Sequence, residues 1–201
     1  MSFEKLQESL VKKGYKVSCF SNKEEAAQYI CESINGQTVG FGGSMTLEEM
    51  GLYEKLAEKT DVYWHWRIPE GKTGADVLKI AKNADVYLSS VNGIAETGEI
   101  VNIDNTGNRV AATLYGHKKV FLVAGVNKVA ADLESAIYRA RNIAAPPNAK
   151  RLGKKTPCAV NADRCYDCQS PERICRTLNV LWERPMGSDY EIVLVDEKLG
   201  Y

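Results

Sequence analysis

DVYLSSVNGIAETGEIVNIDNTGNRVAATLYGHKKVFLVAG, residues 85–125, is the stretch that decides the fold. It begins with DVYLSSV (85–91), which reads as a strand, and ends with KVFLVAG (119–125), a strongly apolar run of the kind that forms strands buried on both faces. Between them lie a turn signal at Asn92-Gly93, an extended stretch EIVNID at 99–104, and a helical stretch from Gly107 to Tyr115. Strands buried on both faces with a helix between them predict a parallel sheet.

The same alternation continues outward. Upstream, Phe3, Leu6, Leu10 and Val11 share helical spacing over 3–13, and YKVSCF at 15–20 reads as a strand. Ser21 with Glu24 fits a capping box for a helix to about Ile34, and TVGF at 38–41 is the next strand. Thr46 with Glu49 offers a second box, for a helix with Leu47, Met50, Tyr53, Leu56 and Ala57 along one side. DVYWHWRI at 61–68 predicts a strand, and Thr73 with Asp76 predicts a helix ending near Lys82. Downstream, a long helix from Ala131 to Ala144 is expected to stop at Pro146-Pro147, while TLNVLWERP (177–185) and EIVLVDEKL (191–199) predict a final strand pair. The expectation is an α/β fold, a mostly parallel sheet covered by helices on both faces, forming a single domain over 1–201 with a Cys-rich insertion at 156–176.

Composition narrows the classes. The chain has 201 residues, 26 Lys+Arg against 26 Asp+Glu, and 44% hydrophobic residues. That apolar content with zero net charge excludes a disordered chain, and the missing basic excess argues against a general nucleic-acid binder. No apolar run reaches the ~20 residues that span a bilayer, and MSFEKLQESLVKKG is charged and amphipathic, unlike a secretory signal. A cytoplasmic protein without membrane or nucleic-acid partners is expected. Four of the six cysteines, Cys158, Cys165, Cys168 and Cys175, fall at spacings of six, two and six residues, whereas Cys19 and Cys31 stand apart in a strand and a helix. In a reducing compartment this cluster points to metal or redox chemistry, because zinc and iron–sulfur clusters both take deprotonated sulfur donors. A Cys-x-x-Cys redox pair is the third reading.

Candidate binding residues follow from position. Gly42, Gly43 and Ser44 lie where a strand meets a helix start, a place where backbone amides can cradle a phosphate or carboxylate, or where a tight turn simply forms. The stretch fits no standard nucleotide motif: no Lys follows the glycines, and Met45 stands where a dinucleotide fingerprint has its third glycine. In parallel sheets ligands bind beyond the carboxyl ends of the strands, so Asn92, Asn102, Thr106, Asn108 and Arg109 are candidate substrate-binding groups. Glu96 and Asp104 are the candidate catalytic carboxylates. The six cations from Arg139 to Lys155 form a local basic patch, either an anion site or a solvated surface. His65, between two tryptophans, reads as packed and His117 as exposed.

GFGGSMTLEEMGL (40–52), NGIAETGEIVNIDNTGNRVA (92–111), VAGVNKVAADLESAIYRARNIAAPPNAKRL (123–152) and TPCAVNADRCYDCQSPERIC (156–175) together resemble the LUD-domain family, which includes lactate-utilisation protein C. The resemblance implies a fold similar to the ribose-5-phosphate isomerase and CoA-transferase group. It also implies a part in oxidising lactate, or a related 2-hydroxy acid, to pyruvate beside iron–sulfur partner proteins. That redox setting favours an iron–sulfur cluster over zinc at the four cysteines. TGEIVNIDNTGNRVA also resembles a stretch of methylthioribose-phosphate isomerases and translation initiation factor 2B, with Asn102 and Thr106 matching. Asn92 stands where those isomerases have an aspartate, Asn105 replaces a glycine, and the Lys-Gly-Gly-Gly loop of ribose-phosphate enzymes is missing. The expected partners are a small anionic substrate, iron–sulfur proteins and a second copy of the chain. Two alternatives stay open: an anion-binding isomerase or transferase, and a regulatory scaffold stapled by zinc.

Overall fold

The apolar run KVFLVAG forms the middle of a parallel sheet in the computed structural model, which describes residues 3–201. In chain order the first half comprises α1 (Glu4–Lys12), β1 (Lys16–Phe20), α2 (Lys23–Ser33), β2 (Val39–Phe41), α3 (Met45–Glu49), α4 (Leu52–Ala57), β3 (Val62–Trp64), α5 (Gly74–Ala81) and β4 (Val86–Ser90). Then follow β5 (Gly93–Ala95), β6 (Ile100–Asp104), α6 (Asn108–Leu114), β7 (Lys119–Gly125), β8 (Val129–Ala130), α7 (Leu133–Arg139), α8 (Ala145–Arg151), α9 (Pro157–Asn161), β9 (Thr177–Leu181) and β10 (Asp189–Val195). The large sheet runs β1-β10-β7-β4-β2-β3 with every neighbouring pair parallel. Leu122 of β7 lies between Ile192 of β10 and Ser89 of β4, a register that buries Val120 to Ala124 completely.

Helices cover both faces. On one, Phe41, Leu88, Phe121 and Val193 meet Ala27 and Ile30 of α2, Leu47 of α3 and Leu52 and Leu56 of α4. On the other, Leu122, Ile192 and Leu194 meet Leu6 and Leu10 of α1 together with Ile94, Ile100 and Ala112. Each fully buried Leu, Ile or Phe contributes about 1.5–3 kcal/mol of transfer free energy, so the two layers are the main source of stability.

A second sheet, β8-β5-β6-β9, was not part of the sequence expectation. EIVNID belongs to it as β6, antiparallel to both β5 and β9, and α7 packs Ala136 on its buried Ala95 and Val101. The expected final pair therefore does not form: β9 joins β6 at the edge of the small sheet, and β10 inserts between β1 and β7. The reason is in the residues. β10 is buried from Tyr190 to Val195 and needs neighbours on both sides, whereas β9 exposes Thr177 and Leu178 and suits an edge.

Other boundaries moved for identifiable reasons. Asn22, not Ser21, caps α2 through the Glu25 amide at 2.9 Å, and Ser44, not Thr46, caps α3. Thr73 and Asp76 do form the reciprocal box of α5. Gly51, at φ 61°, divides the expected 46–57 helix, a backbone state glycine adopts without the steric cost of a side chain. Strand β3 stops at Trp64 because the chain turns back, with the Arg67 amide bonded to the Trp64 carbonyl at 2.8 Å. The helix after β8 does not end at the prolines. It widens into a π-helical turn, Ala140–Ala144, and resumes as α8, where Pro146 and Pro147 occupy the first turn, at which an amide is dispensable. His117 is buried, not exposed: its Nδ1 is 2.7 Å from the Ala84 carbonyl and its ring stacks on Tyr87.

Candidate functional site

Beyond the carboxyl ends of β2, β3, β4 and β7 the sheet opens into a cleft of about 220 Å³. Its floor is Gly43 and Ser44 after β2, His65 and Trp66 after β3, Ser90 to Asn92 at the end of β4, and Lys128 in the turn after β7. One wall is the loop from Ile103 to Arg109, and the other is the π-helical turn and α8, presenting Ala140, Ala144, Ala145, Asn148 and Arg151. This is where parallel sheets bind ligands. The π turn sets small side chains against the cleft, a distortion often found at functional sites.

Lys128 is the most unusual group in it. The residue is buried, with Nζ donating to Ser90 Oγ at 3.1 Å and to the Val91 carbonyl at 3.0 Å. Burial, reinforced by the positive charges of Arg139 and Arg109, pushes its pKa down to about 7, while Glu49 acts in the opposite direction. No carboxylate is bonded to it. Ser90 Oγ in turn lies 3.1 Å from Thr46 Oγ1, which donates to the Leu199 carbonyl at 3.2 Å. A buried amine poised near neutrality can donate to an anion or take a proton. Sequence reading missed Lys128; its one signal was a cation placed just beyond a wholly apolar strand.

Arg109 is held differently. Its Nη1 donates to the Ser90 carbonyl and Asn102 Oδ1, and its Nη2 to Asn92 Oδ1 and the Ile103 carbonyl, at 2.6–3.2 Å. The guanidinium therefore ties β4 to β6 and leaves little of its fork for a ligand; burial pushes its pKa down. Asn102 is fully buried behind the cleft as Arg109's acceptor, and Asn92 also accepts from the Ile103 amide at 2.8 Å. Asp104 receives the amides of Asn105, Gly107 and Val110, which makes it the organiser of the α6 start. Thr106 and Asn108 line the cleft with their side chains available.

Gly43 and Ser44 line the floor, but Ser44 Oγ is used on the Leu47 amide and α3 has only five residues, so the sequence's anion cradle reduces to the loop backbone. Gly42 lies behind, where a Cβ would meet Ser89 Oγ at 2.9 Å and Arg109 Cγ at 3.0 Å. Glu96 is elsewhere: it sits on the β5–β6 hairpin, ion-paired with Lys5 at 2.6 Å and outside the cleft lining. His65 is inside it. Its buried Nδ1 has no hydrogen-bond partner, and burial lowers its pKa, so the ring is a neutral base facing the cleft. At the mouth Arg151 lies over the Trp66 ring, 4.9 Å from its centre, and bonds Asn148.

The basic patch divides accordingly. Arg139 turns inward and bonds the carbonyls of Asn127, Asn92 and Tyr201, Arg141 pairs with Asp167 at 2.8 Å, and only Arg151 reaches the cleft. The four clustered cysteines are all unpaired and half-buried, beside the α8 wall. Among the described residues no group of three or more His, Cys, Asp or Glu is close enough to hold a single metal ion. No helix of the described residues is long and apolar enough to cross a membrane.

The family model of the LUD domain matches residues 3–195, nearly the whole chain. The chain belongs to the LUD-domain family. This LUD domain is similar in fold to a DUF162 family protein from Deinococcus radiodurans, with a TM-score of 0.55, 10% identity, and coverage of 97% of this chain and 99% of that one. It is more distantly similar to eIF2B beta and eIF2B delta from Chaetomium thermophilum, at TM-scores of 0.38 and 0.36, with 12% and 15% identity, covering 56% and 63% of this LUD domain and 44% and 52% of those chains. No curated protein matches it.

Proposed function

We propose that this LUD domain binds a small 2-hydroxy or 2-oxo carboxylate in the cleft and serves lactate utilisation beside iron–sulfur partner proteins. The observation that carries the reading is Lys128, a buried ammonium bonded to no carboxylate and bordering a cleft of about 220 Å³. An anion that reaches Nζ gains a charge-assisted hydrogen bond in a site with little competing water. Arg151 adds positive potential, while the charge of Arg109 is balanced in part by Asp104, the lining carboxylate, 3.9 Å from its Nε. The volume admits an acid of lactate size and larger ones.

The chemistry that the residues support is proton transfer. Oxidising lactate to pyruvate removes two electrons and two protons. His65, a neutral imidazole on the cleft floor, is the base for the 2-hydroxyl, Lys128 holds the carboxylate, and Thr106 and Asn108 orient the rest. The Cα hydrogen leaves with its electron pair, as hydride, to an acceptor outside this domain, and the iron–sulfur partners that the family resemblance implies carry those electrons onward. A second reading, an isomerase or transferase acting on a phosphorylated or carboxylate substrate, draws on the same two bases; the loss of the ribose-phosphate loop and the commitment of Ser44 to a cap weigh against phosphate.

Thermal unfolding with added ligands separates them. Lactate or pyruvate at 100 times its dissociation constant adds about 2.7 kcal/mol of stability. Stabilisation by sugar phosphates or CoA esters alone would replace the first reading with the second.

A further inference from the structure

The segment 156–176 is out of proportion to its own core. Apart from the five-residue α9 it has no regular element, and its buried cluster is Ala149, Ala159 and Ile174 with Cys158 packed on them. Three small to medium side chains are little against the conformational entropy of ordering about twenty irregular residues. Hydrogen bonds between Arg141 and Asp167, from the Cys165 amide to Asn142 and from the Lys155 amide to Glu172 tie it down in part, and its cysteines offer a further tie. Cys158, Cys165, Cys168 and Cys175, brought from four points along the segment, line one enclosed cavity of about 20 Å³ with Arg141, Arg173 and Thr156 around it.

Each sulfur environment but that of Cys168 includes a polar hydrogen. Cys165 Sγ accepts from the Asp167 amide at 3.3 Å and from Arg141 Nη2 at 3.6 Å, Cys175 Sγ from Arg173 Nη2 at 3.5 Å, and Thr156 Oγ1 lies 3.3 Å from Cys158 Sγ. Metal-bound sulfurs characteristically keep such N–H and O–H partners around them, which orient the ligands. The backbone agrees. The two described residues other than glycine with positive φ, Ala162 at 54° and Asp167 at 46°, both lie in this segment, and Asp167 stands inside the Cys165-x-x-Cys168 turn. Such conformations persist where the surroundings over-determine them.

We infer that the four cysteines hold a soft metal centre, an iron–sulfur cluster or a tetrahedral zinc, that pins the segment against the cleft. The contact with the cleft is direct: Ala145 and Ile174 line both the cysteine cavity and the cleft, so the partition is one side chain thick. That placement, though not the centre itself, takes its meaning from the carboxylate reading above. The two metals ask for different geometry. A tetrahedral zinc needs its four sulfurs to converge on one ion, and among the described residues no three ligands are so grouped, whereas a cluster spreads its thiolates over separate irons. The central volume, by contrast, suits one ion-sized body.

The test is anaerobic purification of the full chain, with iron, zinc and acid-labile sulfide measured per chain and the visible spectrum recorded. Iron with matching sulfide and a broad absorbance near 400 nm, or one zinc per chain, carries the inference and identifies the centre. Neither metal as purified, and none after anaerobic reconstitution with iron and sulfide or with zinc, overturns it. Cys165→Ser/Cys168→Ser should lose the metal and Cys19→Ser should keep it. Should the double variant fail to fold, thiol titration of the native protein decides: four thiols should stay unreactive until the metal is removed, and reaction of all four without metal removal contradicts the inference. None of these readouts requires a ligand in the cleft, so this result and the carboxylate result stand or fall separately.

Discussion

Lys128 costs the fold stability at neutral pH, which is the reason to regard it as functional. Its folded-state pKa of about 7 lies below the ordinary lysine value of 10.5, so between those two pH values the unfolded chain binds more protons than the folded one. Stability must therefore rise with pH across that window, and Lys128 adds no slope below about pH 7. The whole effect is on the order of a few kcal/mol. Denaturant unfolding from pH 7 to pH 10 should show a steeper gain for the native protein than for Lys128→Met; parallel curves would mean that the amine is solvated and the cleft reading is wrong. Neither this lysine nor His65 was legible in the sequence, because each looks ordinary locally: one follows a strand, and the other sits between tryptophans. Asn92, Thr106, Asn108 and Arg109 were legible as a polar stretch beyond a buried strand. Their division of labour was not, since it depends on which carbonyls the Arg109 fork meets.

At the scale of elements, β10 shows how a charge can be built into a buried strand. Glu191 is fully buried opposite Lys16 of β1, and its carboxylate is within 3.1 Å of Lys16 and Lys119 and accepts from Tyr29 and Ser18. Burial alone would raise its pKa, but the bonds from Tyr29, Ser18, Lys119 and Lys16 outweigh it and hold the group below the usual glutamate value. A lowered carboxylate stabilises the fold above the unfolded-state pKa, and that contribution is lost as pH falls through the folded-state value. Glu191→Gln should cost about 1–3 kcal/mol at pH 7. Acid unfolding should then begin from a lower plateau with a shallower limb; an unchanged limb would place the acid sensitivity elsewhere. Strands of the large sheet were readable from apolar runs such as VGF in β2, VYL in β4 and IVLV in β10, and helices from their period. In the small sheet β6 and β9 were readable as extended stretches, but the sheet itself was not, since β5 and β8 have only three and two residues and the pairing joins residues as far apart as Ile100 and Leu181. The π turn was equally hidden, for Pro146 and Pro147 read as a stop in any local window.

For the whole molecule, the zero net charge conceals a division: acidic and basic side chains pair over the surface, while Lys128 and Arg139 are buried near the carboxyl ends of the strands. The cysteine cavity lies just beyond one wall of the same cleft. A molecule so arranged would bring the proposed carboxylate and the proposed metal centre within a side chain of each other. Family membership accounts for the fold and is the source of the hydroxy-acid proposal, to which the cleft adds a buried cation able to hold a carboxylate. The most direct measurement is isothermal titration of the purified protein with lactate and with pyruvate, repeated on Lys128→Met and on Glu96→Gln, whose side chain is outside the cleft. The account predicts one site per chain for at least one of the two acids, lost in Lys128→Met and kept in Glu96→Gln. Heat from neither acid, or binding that survives Lys128→Met unchanged, would contradict it.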